Sequence, residues 1–97
     1  MEYQVSLTES AKRDLAHFEV NDQRIIVAGI LIHLKIDAQV NTRRRKQLRT
    51  NPLAPWELRI DRFRIFYSVE EGNKVKVVAV GHKEHNELFI RGRKVEL

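Results

Sequence analysis

The sequence predicts a single α+β domain over residues 1–97, in which a strand and two helices precede a run of strands in the order β-α-α-β-β-β. Three observations predict it. Ninety-seven residues suffice for one hydrophobic core and are too few for two. Residues 9–38 carry helical spacing of apolar positions behind capping residues. From Trp56 onward, apolar and polar residues alternate with the period of two that sends successive side chains to opposite faces of a strand.

The first strand is written in "YQVSL", where Tyr3, Val5 and Leu7 share a face. Ser6 or Thr8 can cap the helix that follows, with Glu9 completing a capping box if Ser6 is the cap. Ala11, Leu15 and Phe18 then fall on one helical face. In "NDQRIIVAGILIHLKIDAQV", residues 21–40, two patterns compete. Val27, Ile30, Leu31, Leu34 and Ala38 follow helical spacing, whereas Ile32, Leu34, Ile36, Ala38 and Val40 alternate like a strand. Asn21 or Asp22 as an N-cap, together with a length of about twenty residues, selects a helix. "NTRRRKQLRTNPLAP", with two prolines and a basic run, reads as an exposed, extended connector.

In "PWELRIDRFRIFYSV", residues 55–69, the alternation slips by one. Leu58 and Ile60 share one phase, and Phe63, Ile65, Tyr67 and Val69 the other, so the chain turns at Asp61 and Arg62. Ile60 then pairs with Phe63, Leu58 with Ile65 and Trp56 with Tyr67. On the other face Glu57 lies opposite Phe66, and Arg59 opposite Arg64. Like charges facing across a strand pair cost a few tenths of a kcal/mol up to ~1. A bound phosphate would use both arginines as a fork of charge-assisted donors; alternatively, Glu57 simply neutralises the pair. "EEGN" supplies the next turn, with Gly72 free to take positive φ, and "KVKVVAV" the next strand.

The absence of cysteine excludes disulfides and thiolate zinc sites and is compatible with a reducing cytosol. The longest uncharged apolar run, Ile25 to Leu34, is ten residues, too short to span a bilayer, and the N-terminus lacks a signal-peptide pattern. A cytoplasmic, membrane-free protein is expected. The net charge of +5 is uneven: residues 1–41 carry −2 and residues 42–97 carry +7. A one-sided positive field is the footprint of an anionic partner, nucleic acid above all, or else a solvated surface. Arg43, Arg44, Arg45, Lys46 and Arg49 are the candidate backbone-binding residues. Trp56, Phe66 and Phe89 offer either stacking surfaces for bases or core.

"GHKEHNELF" follows the last strand with His82, Lys83 and His85, groups suited to proton transfer or anion binding. Two histidines three apart, without a third ligand and beside a lysine, do not make a metal site.

"TRRRKQLRTNPLAPWELRIDRFRIFYSV" and "VVAVGHKEHNELFIRGRKVEL" together resemble the RelE/ParE superfamily of bacterial toxins of type II toxin–antitoxin systems. The shared marks are a basic approach segment, a WELR-type strand, an aromatic-Arg-hydrophobic-aromatic strand and a V-G-H-[KR] strand end, covering about residues 40–91. The resemblance implies a RelE-like fold, a twisted, mainly antiparallel sheet against an N-terminal helical hairpin, and favours helix for residues 22–40.

The resemblance further implies one of two activities: cleavage of mRNA on the ribosome, as in RelE-like members, or poisoning of DNA gyrase, as in ParE-like ones. By position it points to Arg59, Arg64 and Lys83 as the cleaving cations, in a metal-free and cofactor-free attack by the 2′-hydroxyl. Phe89 stands where the family has a tyrosine, so His82 or His85 would supply the proton donor, and Glu57 or a histidine the base. The implied partners are a cognate acidic antitoxin, the ribosome with its mRNA, and operator DNA through the antitoxin complex alone. A catalytically weak member serving as an antitoxin-binding module is the remaining reading.

Overall fold

A computed structural model describes residues 2–49 and 53–96. The described elements are β1 (Gln4–Leu7), α1 (Glu9–Ala16), α2 (Val20–Leu34), β2 (Arg45–Gln47), β3 (Trp56–Ile60), β4 (Phe63–Glu70), β5 (Lys74–Glu84), β6 (Glu87–Ile90) and β7 (Arg93–Val95). The strands form one sheet in the order β2-β3-β4-β5-β6-β7, antiparallel throughout, with β1 joined in parallel to the first half of β5. The fold is thus α+β as expected, with more strands than the sequence showed.

Thr8 starts α1: its hydroxyl accepts from the Ala11 N–H at 3.1 Å, which makes it the cap instead of Ser6. α2 begins earlier than Asn21 or Asp22. Its N-cap is Glu19, which makes no side-chain capping bond, and Gln23 reaches back to donate to the Phe18 carbonyl at 2.8 Å. α2 also ends before residue 40. Its late carbonyls are taken by outside donors, His33 O by Arg45 at 2.9 Å and Lys35 O by the Tyr3 N–H at 2.8 Å, and Asp37 turns the chain at φ 56°. The buried stripe of α2 is Ile26, Gly29, Ile30 and Leu34; Val27 and Leu31 point to solvent. Gly29 lets the helix approach β3 closely, since a Cβ there would lie 2.8 Å from the Ile60 side chain, which would have to shift.

The helices cover one sheet face. Ala11, Ile26, Ile30 and Leu34 pack on Leu58, Ile60, Phe63, Ile65, Tyr67, Val75, Val77 and Val80. At ~25 cal/mol per Å² of buried apolar surface, such burial is what holds the two layers together. The β3–β4 register is the one read from the sequence: Ile60 opposite Phe63, Leu58 opposite Ile65, Trp56 opposite Tyr67, Arg59 opposite Arg64.

The opposite face is open apart from a small cluster of Ala54, Phe66, Ala79 and Leu88, onto which Leu48, Leu53, Ile90 and Val95 pack. The expected extended connector therefore does two other things: residues 45–47 add an edge strand to β3, and Leu48, Leu53 and Ala54 fold back on the sheet. Its residues 50–52, including Pro52, lie outside the described residues.

A bulge in β5 decides which residues reach the open face. Phe66 pairs with Ala79 but Tyr67 with Val77, so Val78 is an extra residue. Before it, Val75 and Val77 face the helices; after it, Val80 and His82 do. Gly81, opposite Arg64, and Lys83 are thereby placed on the open face.

Candidate nucleic-acid interface

The open face carries the facing arginines. Arg59 and Arg64, with Arg43, Arg44 and Asp61, line a concavity of about 500 Å³. β3 fixes Arg59 between two neighbours: its N–H donates to the Arg44 carbonyl at 2.7 Å, and its Nε donates to Glu57 Oε1 at 2.7 Å. Glu57 is 4% exposed, and a buried carboxylate needs such a partner. The neutralising role considered for Glu57 is thus real, but Arg59 is the arginine that it binds.

Arg64 is held otherwise. Its NH1 donates to the carbonyls of Asp61 at 2.8 Å and Phe63 at 2.9 Å, which clamps it to the β3–β4 turn. Its Nε is buried and has no acceptor among the described residues. Burial lowers the Arg64 pKa, Glu57 opposes that shift and Arg59 adds to it. An arginine remains cationic at neutral pH under such shifts. The guanidinium groups of Arg43, Arg44 and Arg59 around Arg64 make the concavity suited to an anion.

Lys83 shares this face as the diagonal neighbour of Arg64, its N–H bonded to the Arg62 carbonyl at 2.8 Å. It lines an adjoining depression of about 300 Å³ with Leu88, Lys94 and Val95. Lys46 also falls on this side, directly across from Glu57.

Other expected site residues are not brought here. His82 points to the helix side, stacked on Phe89 at 5.6 Å and edge-on to Phe18 at 6.0 Å, with Nε2 3.7 Å from Glu84. The Val78 bulge is the cause. Phe89, paired with His82, is turned the same way, so the place compared with the family tyrosine is not on the open face. His85 sits exposed in the β5–β6 turn at φ 49°, away from Arg59 and Arg64 in register.

Arg45 leaves the basic run for the core side. It donates through Nε to Val40 O at 3.0 Å and through NH1 to His33 O at 2.9 Å, pinning β2 to the end of α2. Arg43 and Arg44 are exposed and line the concavity, and Arg49 is exposed beyond β2. Trp56 and Phe66 are buried, which removes both as stacking surfaces. Asp61, which the sequence marks only as a turn residue, lines the concavity, and its carbonyl holds Arg64. Its place in the turn between facing arginines was the available signal.

Among the described residues, no group of three or more His, Asp or Glu is placed to hold a metal ion, and no helix is long and apolar enough to cross a membrane.

A sequence comparison with curated proteins finds no match. Among solved structures, the chain is similar to one from the toxin–antitoxin complex RelBE2 of Mycobacterium tuberculosis, with a TM-score of 0.69 and 22% identity, over 86% of this chain and 100% of that one. That likeness is one of fold, two helices on an antiparallel sheet. Residues 5–87 match the model of a family described as the ParE toxin of the type II toxin–antitoxin system parDE. The match runs from β1 into β6, through the strands that carry Arg59, Arg64 and Lys83; the chain belongs to this family of toxins, within the RelE/ParE superfamily.

Proposed function

We propose that this toxin arrests growth by cutting mRNA on the ribosome, and that a cognate acidic antitoxin restrains it. The observation that carries the reading is the Arg59–Arg64 pair, set with Arg43 and Arg44 around an open concavity. RNA supplies its own nucleophile. When a 2′-hydroxyl attacks the neighbouring phosphorus, negative charge accumulates on the phosphoryl oxygens. Cations already fixed there stabilise the transition state more than the ground state. Arg59 is fixed by Glu57 and Arg64 by two carbonyls, so neither has to be ordered during reaction. Glu57 is the base-type group that takes the 2′-hydroxyl proton; as the bond from phosphorus to the 5′-oxygen breaks, Lys83 adds positive charge beside that leaving oxygen, which takes its proton from water. His82 and His85 take no part in this scheme. Arg43, Arg44, Lys46 and Arg49 track the RNA backbone.

A second reading, a gyrase poison, is favoured by the placement of His82: the basic face then has no imidazole from β5, and binding a protein or DNA phosphate requires none. Pulse labelling after induction separates the two. An early stop in protein synthesis with fragmented mRNA supports the ribonuclease. An early stop in DNA synthesis with intact mRNA overturns it in favour of the gyrase poison.

A further inference from the structure

The concavity on the open face gathers more positive charge than the few phosphates of an RNA strand within its reach bring to it. Arg43 and Arg44 at the approach to β2, Arg59 on β3 and Arg64 on β4 enter about 500 Å³ from three neighbouring segments, a volume in the range of small-molecule sites. The approach to β2 lies beside β3, since the Arg44 carbonyl accepts from the Arg59 N–H at 2.7 Å. Glu57 is bonded to Arg59, and Asp61 lines the concavity without an ion pair among the described residues. Lys46, across from Glu57, and Lys83, diagonal to Arg64, add positive charge on the same face. Their chain neighbours Arg45 and Arg62 are turned away, Arg45 to the carbonyls of His33 and Val40 and Arg62 to Asp22 at 3.0 Å. Six cations thus stand against two carboxylates.

RNA presents a single charge on each phosphodiester, and a whole nucleoside separates one phosphate from the next. A pyrophosphate group is denser. Its two phosphoryl groups share an oxygen, and a terminal phosphoryl group alone carries about −1.5 to −2 at pH 7. Arginine matches it, because each planar guanidinium offers parallel N–H donors to phosphate oxygens and is weakly hydrated. Walls of one sign around a hollow also raise the local concentration of the opposite charge. We infer that the concavity binds the pyrophosphate group of a free nucleoside diphosphate or triphosphate, with Arg59 and Arg64 on one phosphoryl group and Arg43 and Arg44 on the next. Asp61, exposed and repelled by phosphate, is left to accept from ribose hydroxyls. The consequence rests on the ribonuclease reading: a nucleotide bound there excludes the RNA backbone and slows cleavage.

Isothermal titration calorimetry of the purified chain in magnesium-free buffer tests this with inorganic pyrophosphate, ADP and orthophosphate. Pyrophosphate and ADP should each bind at least tenfold tighter than orthophosphate. ADP binding tighter than pyrophosphate assigns the site to nucleotides, and equal affinities assign it to the pyrophosphate group whatever carries it. Arg43→Ala with Arg44→Ala should weaken pyrophosphate at least tenfold and leave the melting curve in place, because both side chains are exposed. Arg24→Ala with Lys35→Ala removes the same charge from exposed positions of the helical layer and should change the affinity less than twofold. Equal losses in the two double variants would mean diffuse attraction and overturn the inference, as would pyrophosphate binding no tighter than orthophosphate. A fluorescein-labelled uridine 12-mer, followed by anisotropy, keeps the two readings apart. RNA that binds where pyrophosphate does not overturns the inference and leaves the RNA reading standing. Pyrophosphate that binds through Arg43 and Arg44 without displacing the RNA upholds the inference and moves the RNA off the concavity.

Discussion

Arg59 is bound by Glu57 and Arg64 is not: the 2.7 Å bond from Arg59 Nε to Glu57 Oε1 leaves the arginine directly across the strand pair fastened only to backbone carbonyls. The facing pair is therefore half neutralised. The two arginines differ in what their removal should do.

Arg64→Ala removes a cation that meets the transition state on the ribonuclease reading, and loss of one such donor typically costs ~10² to 10³ in rate. Two carbonyl contacts go with it, but so do its like-charge contact with Arg59 and a buried donor without an acceptor. Stability should stay within about 1 kcal/mol of the parent. Growth arrest and a melting curve on the same variant check this. A variant that melts normally and still arrests growth would remove Arg64 from the site.

Glu57→Gln separates two roles of one carboxylate. As the partner of Arg59 it contributes a charge-assisted bond, and its neutral replacement should cost about 1–2 kcal/mol, moderated because Arg59 can turn to solvent. RNA binding should persist or tighten, since a negative charge has left a basic concavity. Cleavage should fall if Glu57 takes the 2′-hydroxyl proton. Titration with a single-stranded oligoribonucleotide, run beside a cleavage assay on translating ribosomes, reads both.

The β3–β4 register was legible because reading the one-residue slip as a turn at Asp61 and Arg62 fixes every pair across it. The same kind of slip stands in "KVKVVAV", at Val77 and Val78, where it marks a bulge. Nothing local distinguishes the two devices, and so the faces of His82 and Lys83 could not be read without the partner strand. The buried stripe of α2 was misplaced for a different reason. "IIVAGILI" is apolar in every phase, and only the close approach at Gly29 selects Ile26 and Ile30. β2 has no apolar alternation and is a strand because β3 offers it an edge. β6 and β7 did leave turn signals, Asn86 and Gly92, which take positive φ in the fold, behind residues read for chemistry instead.

Tyr67 makes stability depend on alkaline pH. It is fully buried and its hydroxyl donates to the Ala38 carbonyl at 2.7 Å; burial raises its pKa well above the ordinary value of 10.0. In the unfolded chain Tyr67 releases its proton near that ordinary value, while in the fold it keeps it. The unfolded state therefore binds fewer protons above pH 10, and stability present below that pH is lost as pH rises past it. Tyr67→Phe should flatten this alkaline slope while costing about 1–2 kcal/mol at neutral pH, since Ala38 O loses its donor. Melting temperatures of both proteins between neutral and alkaline pH give the comparison.

Asp14 is 1% exposed and joins three elements: Oδ2 accepts from the Val80 N–H at 3.0 Å, just after the bulge, and Oδ1 lies 2.8 Å from Arg91 Nε in the β6–β7 turn. Asp14→Ala leaves a buried N–H unpaired and releases the C-terminal hairpin from α1. The expected cost is about 2–4 kcal/mol, a fall in Tm upward of ~10 °C for a domain of this size. Arg91→Ala removes only the half-exposed partner and should cost less. A larger loss for Arg91 than for Asp14 would mean that the bond to Val80 contributes little.

The run Arg43–Lys46 divides by face, and its members should fail in different ways. Arg43 and Arg44 line the concavity; Arg45 turns inward to the carbonyls of His33 and Val40. A phosphate contact releases a counterion, so each one lost should lower the slope of log affinity against log salt by ~0.7 on single-stranded RNA. Arg43→Ala with Arg44→Ala should flatten that slope by more than one unit on this count and leave the melting curve in place, because both side chains are exposed. Arg45→Ala should do the opposite. It frees the end of α2 and the edge strand β2 at a cost of roughly 1–2 kcal/mol, with the slope nearly unchanged. Equal effects of the three substitutions on the salt slope would mean that the basic run acts as diffuse charge. A slope that responds to Arg43 and Arg44, beside a Tm that responds to Arg45, follows only if the start of β2 turns Arg45 to the helix side while the two arginines before it stay at the concavity.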